Sequence, residues 1–368
     1  MKPWVCAAIA AAIGLGTAEA KDYQFGSWAP PQHGVHVQGL QPLFKELEAK
    51  SNGAMTWKLV TGGQLASPRN TIPSLRDGVI DAGMVIPSLY TKELAANNVV
   101  YNLAGFGNDT VAVAGATFET LMLNCPDCMA EYKAQGAVYA AGYGITPYRM
   151  QCNKTLASAD DVKGLKVFAT GGAVRLMKAI GAVAVAMSPT ESITALQRGG
   201  LDCAHGPYAW IRFNGFDVIK SVIDYPLGSA RGFGMMVMSR ATWDALPADQ
   251  KKLLWDSLPQ AISLAVIKGQ IAEDEAVKKE AVEKHNIKII DPGKQWDPVM
   301  AAFNADEKRI VAEEAKGLGV KEPEKLIDKH LALLAKWEGL SREIGGDPAK
   351  FAAKLQSEVY SKIDPLKF

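Results

Sequence analysis

The sequence has no concentrated block of basic residues and almost no net charge. Its 368 residues include 40 lysines and arginines against 39 aspartates and glutamates, which gives a formal net charge of +1. Proteins that bind nucleic acid usually carry a basic patch, because contacts to phosphate dominate their affinity. The charge balance therefore argues against nucleic acid as a partner.

Long apolar runs are missing after residue 20. A helix that spans a bilayer needs about 20 consecutive apolar residues, so we expect no stable membrane insertion of the mature chain. Residues 1–20 have the layout of a secretory signal: Lys2, a short apolar core from Trp4 to Gly16, and the small-x-small cleavage site Ala18-Glu19-Ala20. A membrane anchor is the alternative and requires a longer core. The layout predicts export of the mature protein.

Several catalytic and cofactor motifs are absent from the sequence. It contains no G-x-S-x-G, no H-E-x-x-H, no phosphate-binding loop and no G-x-G-x-x-G after a strand. We therefore expect no enzyme, no cofactor and no metal. His205, beside Asp202 and Cys203, lacks a second cluster of metal ligands, so a structural histidine is the favoured interpretation.

Few cysteines are present, and their number is even once the signal is removed: Cys125, Cys128, Cys152 and Cys203. In an exported chain such a set first indicates disulfides. We favour a local Cys125–Cys128 disulfide, with free thiols or metal and redox chemistry as alternatives. Cys152 and Cys203 are candidates for a second disulfide between neighbouring strands.

A short device occurs twice in the chain. T-I-P-S-L-R-D-G-V-I-D-A-G (Thr71–Gly83) returns as S-I-T-A-L-Q-R-G-G-L-D-C-A (Ser192–Ala204). Each copy predicts a helix, a glycine that ends it in a left-handed conformation, and a strand. The shared aspartates, Asp81 and Asp202, are expected to organise the turn; catalytic carboxylates are the alternative.

Because strands and helices alternate in both halves, the sequence predicts an α/β fold with two lobes and mainly parallel sheets. The roughly 348 residues after the signal exceed the size at which one core stops growing. A helical stretch from about 248 to 284 is long enough to cross both lobes. We expect a signal at 1–20, lobe I at 21–145, lobe II at 146–235, a crossing segment with a long hinge helix at 236–290, and a helical C-terminal region at 291–368.

Five segments, in this order, resemble the periplasmic solute-binding proteins of TRAP transporters, the DctP-like group. They are F-K-E-L-E-A-K-S-N-G-A-M-T-W-K-L-V, the first device with its preceding G-G-Q-L-A-S-P-R-N, D-D-V-K-G-L-K-V-F, I-G-A-V-A-V-A-M-S-P-T-E with the second device, and T-W-D-A-L-P-A-D-Q-K-K-L-L. The resemblance implies a two-lobed (Venus-flytrap) receptor that closes on a small organic solute and delivers it to the TRAP membrane permease subunits. Alternatives are a binding protein of an ABC importer, a secreted enzyme on the same lobes, or a ligand-sensing domain.

The sequence departs from the pattern of that family at two polar anchors. Family members commonly place a carboxylate-binding arginine where this chain has Phe168, and an Asn-Pro where it has Gly206-Pro207. An aromatic side chain contributes apolar burial in place of a charge-assisted hydrogen bond. We therefore expect a solute with more apolar or aromatic surface than a C4 dicarboxylate.

Candidate ligand-binding residues lie where strand ends and loops face the expected cleft. Arg149 is either an anion partner or a surface ion-pair residue, and the aromatic candidates are either ligand contacts or core. His33 is either a hydrogen-bonding partner of the solute or a solvated loop residue. The candidates are Trp28, His33, Tyr90, Tyr148, Arg149, Phe168, Tyr208, Trp210 and Phe233.

Overall fold

The computed structural model describes residues 21–368, so the expected secretory signal lies outside the described residues. Within that range, no helix combines the length and the apolar character that a bilayer crossing requires. The described chain forms two α/β lobes, each built on one sheet, which confirms the predicted fold class.

Eleven strands occur in the described residues, and they form two mixed sheets. They are β1 (Lys21–Gly26), β2 (Met55–Val60), β3 (Ala82–Val85), β4 (Ala137–Tyr143), β5 (Arg149–Cys152), β6 (Lys166–Phe168), β7 (Val183–Val185), β8 (Cys203–Gly206), β9 (Ser221–Ile223), β10 (Phe233–Ser239) and β11 (Lys288–Ile290). The first sheet has the order β2-β1-β3-β10-β4 and the second β11-β9-β5-β8-β6-β7.

Parallel pairing is concentrated around the repeated device, where β1 pairs with β2 and β3, and β6 pairs with β7 and β8. Antiparallel pairing comes from β10, between β3 and β4, and from β5, between β8 and β9. The sheets are therefore more mixed than expected. The reason is that β5 and β10 are the strands by which the chain enters the second lobe and returns to the first.

The helices cover the two sheets and form the C-terminal region. They are α1 (Gln41–Lys50), α2 (Thr71–Arg76), α3 (Ala95–Tyr101), α4 (Thr110–Leu123), α5 (Pro126–Ala134), α6 (Ala173–Ala179), α7 (Pro189–Gln197), α8 (Ile211–Asn214), α9 (Arg240–Ala245), α10 (Ala248–Val266), α11 (Glu273–Glu283), α12 (Asp297–Gly317), α13 (Pro323–Ile344) and α14 (Pro348–Glu358).

The repeated device forms the same joint in both lobes. Gly78 after α2 and Gly199 after α7 have φ values of 73° and 76°, the left-handed region that glycine adopts without steric cost. The carboxylate of Asp81 then accepts a hydrogen bond from the Gln24 backbone N–H at 2.8 Å, in β1. In the second copy, the Asp202 carboxylate accepts from the Lys166 N–H, also at 2.8 Å. These matching contacts support the expected role of both aspartates in organising the turn.

Two extended segments cross between the lobes side by side. Residues 144–148 lead from β4 to β5, and residues 227–232 lead back to β10. They are hydrogen-bonded to each other, from the Ile145 N–H to the Ala230 carbonyl at 3.1 Å and from the Tyr148 N–H to the Gly228 carbonyl at 3.0 Å. The second segment ends at β10, which starts at Phe233 within the first sheet. The expected boundary at residue 235 stays a prediction.

A long helical stretch forms the third crossing, as expected from residues 248–284. α10 packs on α1, α14 and β4 of lobe I, and α11 packs on α8 and residues 208–210 of lobe II. Between them, Ile267–Ala272 forms a π-helical turn. Here Gly269 faces Gly34 so closely that a Cβ on Gly34 would lie 1.9 Å from the Gly269 carbonyl oxygen. Only two glycines permit this approach of the two backbones.

The C-terminal helices complete the cover of the first lobe and touch the second. α13 packs along α4, and α14 packs on α10. α12 contacts α3 in lobe I and α6 in lobe II, where Arg175 pairs with Glu307 at 2.6 Å and with Glu314 at 2.8 Å. The region therefore packs on both lobes.

Both cysteine pairs form disulfides: the Cys125–Cys128 pair that the sequence analysis favoured and the Cys152–Cys203 pair that it named as a candidate. Cys125 and Cys128 are joined at the start of α5. Cys152 and Cys203 are joined across β5 and β8, where they are direct partners in the register. The second disulfide closes a loop with a sequence separation of 51, whereas the first has a separation of 3.

We expect the two disulfides to contribute unequally to stability. From the loop-closure entropy that each disulfide removes from the unfolded chain, we expect a contribution to the free energy of unfolding of about 4 kcal/mol for the Cys152–Cys203 pair and about 2 kcal/mol for the Cys125–Cys128 pair. Urea denaturation of the two double alanine variants measures this, with each variant serving as the control for the other. An equal or larger loss for the Cys125→Ala/Cys128→Ala variant would contradict the prediction.

Candidate functional site: an aromatic cleft between the lobes

The two lobes touch each other at both ends of the cleft. At one end the Tyr101 hydroxyl lies 3.2 Å from the Thr170 hydroxyl, and the Gly172 N–H donates to the Asn102 side chain at 3.1 Å. At the other end the Arg69 guanidinium lies 3.9 Å from the Glu191 carboxylate. The described chain is therefore in a closed arrangement.

Two small cavities lie between the lobes, and we name each after its histidine. The His33 cavity, of about 20 Å³, is lined from lobe I by Trp28, Pro30 and His33, and from lobe II by Pro189, Thr190, Ile193, Trp210, Phe213 and Asn214. The His205 cavity, of about 30 Å³, is lined by Tyr101, Ala104, Tyr148, Thr170, Gly172, Ala173, His205 and residues 227–230.

Aromatic rings connect the walls of the two cavities. Tyr148 lies 4.8 Å from His205 and 5.4 Å from Trp210, measured between ring centroids. Across the cleft, the His33 ring of lobe I stacks on Phe213 of lobe II at 5.8 Å. Edge-to-face and offset contacts at these distances are the favoured geometries of aromatic pairs. Rings from both lobes therefore contribute to the walls of the cleft.

Trp210 occupies the centre of this arrangement. Its ring lies 6.4 Å from Phe168, and a Cβ placed on Gly206 would lie 2.6 Å from its Cε3 atom. Non-bonded carbon atoms pack at roughly 3.5–4.0 Å, so no side chain fits at position 206 while Trp210 keeps this position. The two departures from the family pattern, at 168 and 206, therefore meet at one indole ring.

A buried polar network fixes the backbone next to Trp210. The Gln151 amide on β5 donates to the carbonyls of Gly206, at 3.2 Å, and Pro207. The Asn214 amide donates in turn to the Gln151 side-chain oxygen at 2.8 Å. Because buried amides are costly to leave unpaired, this network holds the turn that presents Trp210.

The histidines of the cleft are buried and uncharged at neutral pH. Burial lowers the pKa of His205 to about 3, and burial together with the neighbouring His36 lowers the pKa of His33 to about 3. His33 Nδ1 accepts a hydrogen bond from the Val35 N–H at 3.3 Å. His33, placed in a loop that could have been solvated, is instead part of the wall.

Several buried polar atoms near the cleft have no hydrogen-bond partner among the described residues. They are Trp28 Nε1, Tyr143 Oη, His205 Nε2 and Ser229 Oγ. Buried donors and acceptors are normally paired. These atoms are consequently available to a bound molecule, whereas no group of three or more histidine, cysteine or acidic residues in the described range could hold a metal ion.

Six of the predicted ligand residues fall within this aromatic region. Trp28, His33, Tyr148, Phe168 and Trp210 line the cavities or pack on their walls, and Phe233 contacts Tyr101 and Tyr143 with centroids 5.5 Å apart. Their roles in binding remain predictions.

The other three predicted residues are engaged elsewhere. The Arg149 guanidinium pairs with Asp224 at 2.6 Å, and the Tyr208 ring lies under the cations of Arg149 and Lys278. The Tyr90 hydroxyl donates to the Pro68 carbonyl at 3.0 Å. None of the three lines either cavity among the described residues.

Sequence reasoning did not select some residues that the fold brings to the cleft. Tyr101, Tyr143, Thr170, Phe213 and Ser229 belong to this group. Tyr143 is the last residue of β4, and its place at a strand end before the crossing was a usable signal. Thr170 and Ser229 lie in loops, so their positions follow from tertiary packing.

Asp274 of α11 supports the turn that carries Trp210. Its carboxylate accepts a hydrogen bond from the Ala209 N–H at 2.8 Å, and it has no ion pair within 4.0 Å among the described residues. Burial raises the pKa of Asp274 to about 6, against the opposing effects of the Ala209 hydrogen bond and of Arg149. The charged form is therefore disfavoured in the folded protein.

We expect Gly206→Ala to destabilise the protein through Trp210. Overpacking of this kind costs roughly 1–3 kcal/mol, and the cost should shrink when Trp210→Leu removes the opposing ring. Urea denaturation of the two single variants and the double variant measures the coupling. Gly200→Ala is the matched control, because a Cβ there meets no atom closer than 3.4 Å. An equal cost of Gly206→Ala in both backgrounds would exclude the contact.

Asp274 should make stability depend on pH. Because its folded pKa is raised to about 6, its contribution is retained below pH 4 and lost as the pH rises through 6. Asp274→Asn keeps an acceptor for Ala209 and removes the charge, so its melting temperature relative to the unmodified protein should rise between pH 5 and pH 7.5. Thermal unfolding across this range measures the difference, and Gly200→Ala, which changes no titratable group, should give a flat profile. A flat profile for Asp274→Asn would refute the assignment.

Comparison with known proteins places this cleft in a family of receptors. The family model described as bacterial extracellular solute-binding protein, family 7, matches residues 25–314. A protein described as a solute-binding protein from Albidiferax ferrireducens is 26% identical over 222 residues, which span 57% of this chain and 62% of that relative. The chain thus matches less than two thirds of that relative's length.

Solved structures share the fold at low sequence identity. A TRAP solute-binding protein from Rhodoferax ferrireducens, in complex with copurified benzoate, matches with a TM-score of 0.77 and 20% identity over 88% of this chain and all of that one. A TRAP periplasmic solute-binding protein from Bordetella bronchiseptica, with bound mandelate, matches with a TM-score of 0.70 and 20% identity. The match covers 86% of this chain and 99% of that one. A marine metagenome protein described as specific for aromatic acid ligands matches with a TM-score of 0.71 and 18% identity. The match covers 86% of this chain and 99% of that one.

The family model covers most of the chain, and the fold of the structural neighbours agrees with it. The resemblance drawn from the sequence is therefore confirmed, and the chain belongs to family 7 of the bacterial extracellular solute-binding proteins.

Proposed function

We propose that this protein is the periplasmic receptor of a TRAP-type transporter and captures a small aromatic solute between its lobes. The observation that carries the proposal is the interlobe wall of rings, with Trp28 and His33 from one lobe facing Trp210 and Phe213 from the other. Apolar clefts with a few placed polar groups are the usual form of small-molecule sites. The solved relatives with benzoate and mandelate favour the same class of ring-containing solute.

Capture requires the lobes to part and close again. Cavities of about 20 and 30 Å³ hold a water molecule or two and exclude an aromatic ring. The chain has three crossings at which such a motion can occur: the paired segments 144–148 and 227–232, and the π-helical turn Ile267–Ala272. A ring bound in the open cleft gains contacts from both lobes only on closure, and so shifts the population toward the closed form.

A receptor of this type delivers its solute to a membrane protein. In this proposal the TRAP permease subunits recognise the closed surface, and residues 1–20 direct export to the periplasm. The crossing by α10 and α11 favours this transporter class over an ABC importer, in keeping with the family match. The receptor performs no chemistry on its solute and needs no cofactor.

A thermal-shift panel tests the solute class. Compounds with a ring, such as benzoate, mandelate, benzamide and benzyl alcohol, are compared with succinate, malate and galacturonate. A ligand at 100 times its Kd stabilises the folded state by about 2.7 kcal/mol, so at least one ring compound should raise the melting temperature by several degrees. Stabilisation by succinate or malate alone would overturn the proposal.

Variants locate the site. Trp210→Leu removes the central ring and should abolish the shift, whereas Tyr90→Phe, outside both cavities, should leave it unchanged. Calorimetric titration of each folded variant separates loss of binding from loss of stability.

A further inference from the structure

The walls of the cleft carry no formal charge. Among the described residues, neither the His33 cavity nor the His205 cavity has a lysine, arginine, aspartate or glutamate in its lining. The histidines there are neutral, because burial lowers the pKa of His33 and of His205 to about 3. A bound solute thus meets rings, small side chains and uncharged polar atoms.

The buried polar atoms of the cleft that have no hydrogen-bond partner among the described residues are also neutral. His205 Nε2, Ser229 Oγ, Tyr143 Oη and Trp28 Nε1 are buried and unpaired among the described residues. Such groups match a hydroxyl, a carbonyl or an amide, each of which both fits and satisfies them. His205 lines its cavity at 3% exposure and has the Tyr148 ring at its edge.

The cations near the cleft line neither cavity, and two of them are paired with a carboxylate. Arg149 pairs with Asp224 at 2.6 Å, and Lys278 pairs with the same carboxylate at 2.7 Å. The buried Arg231 guanidinium has no carboxylate partner among the described residues, and its Nε is unpaired. Its Nη2 donates to the carbonyls of Phe106 and of Ser229, the latter at 3.1 Å, and its Nη1 lies 3.3 Å from Nε2 of His330 on α13. Phe168, beside Trp210, adds no charge to the wall. An ionised carboxylate in either cavity would lose its hydration without meeting a cation in the lining.

We infer that the solute is uncharged at neutral pH: an aromatic ring bearing a hydroxyl, carbonyl or amide group, with His205 as a hydrogen-bond partner. This inference rests on the proposed function and adds the charge of the ligand to it. Selectivity for a neutral compound follows because the unpaired groups of the cleft are neutral. An anion would lose its hydration there and gain only uncharged hydrogen bonds, so it should bind more weakly than a neutral compound.

Matched pairs of equal shape test the charge. Benzamide against benzoate, and 3-hydroxybenzamide against 3-hydroxybenzoate, are titrated calorimetrically into the full chain at pH 7.5, with succinate and galacturonate titrated alongside. We expect the amide of each pair to bind at least tenfold more tightly. The benzoate affinity should also rise as the pH falls from 7.5 to 5, because the neutral acid is then more abundant.

Equal or tighter binding of the carboxylates at pH 7.5 would overturn the inference and leave the proposed function intact. Binding of succinate or galacturonate with no binding of any ring compound would overturn both. The two failures are therefore distinguishable in one set of titrations.

A variant pair tests the assigned partner. His205→Phe keeps an aromatic side chain and removes the hydrogen-bonding nitrogen, so benzamide affinity should fall at least tenfold. His205→Gln restores a neutral donor and acceptor and should recover most of the affinity. Unchanged affinity in a folded His205→Phe variant would remove His205 from the site.

Discussion

The indole ring of Trp210 lies against the backbone of Gly206, and the cleft depends on that contact. The ring fills the space that any side chain at position 206 would need, and it touches Tyr148 and lies beside Phe168. The network of Gln151 fixes the same turn from behind. The two positions at which the resemblance implied polar anchors, 168 and 206, thus belong to one packing arrangement around this ring.

Charge is placed around this wall, outside the cavities. Arg149, Asp224 and Lys278 form a connected ion-pair cluster on the side of Tyr208, and Arg175 joins α6 to α12. In these positions ion pairs tie elements together while the cleft itself stays neutral. In the proposed function, recognition depends on shape, aromatic contact and a few uncharged hydrogen bonds.

Much of the architecture could be predicted from local sequence signals. In both copies of the device, a glycine with positive φ, Gly78 or Gly199, ends the helix. This helix end can be predicted from the sequence alone. The sequence did not predict the antiparallel pairing in the two sheets, because the patterns of β5 and β10 do not differ from those of the other strands. For the site, the positions of Trp28, Phe168 and Trp210 could be expected from strand ends and family pattern. The ion pair that occupies Arg149 depends on a residue 75 positions away and needs the tertiary fold.

Mass spectrometry of the solute released on denaturation tests the central claim most directly, with the protein purified from its native periplasm. The account predicts a small compound with an aromatic ring and no group ionised at neutral pH. A C4 dicarboxylate or a sugar acid, recovered in stoichiometric amount, would contradict it.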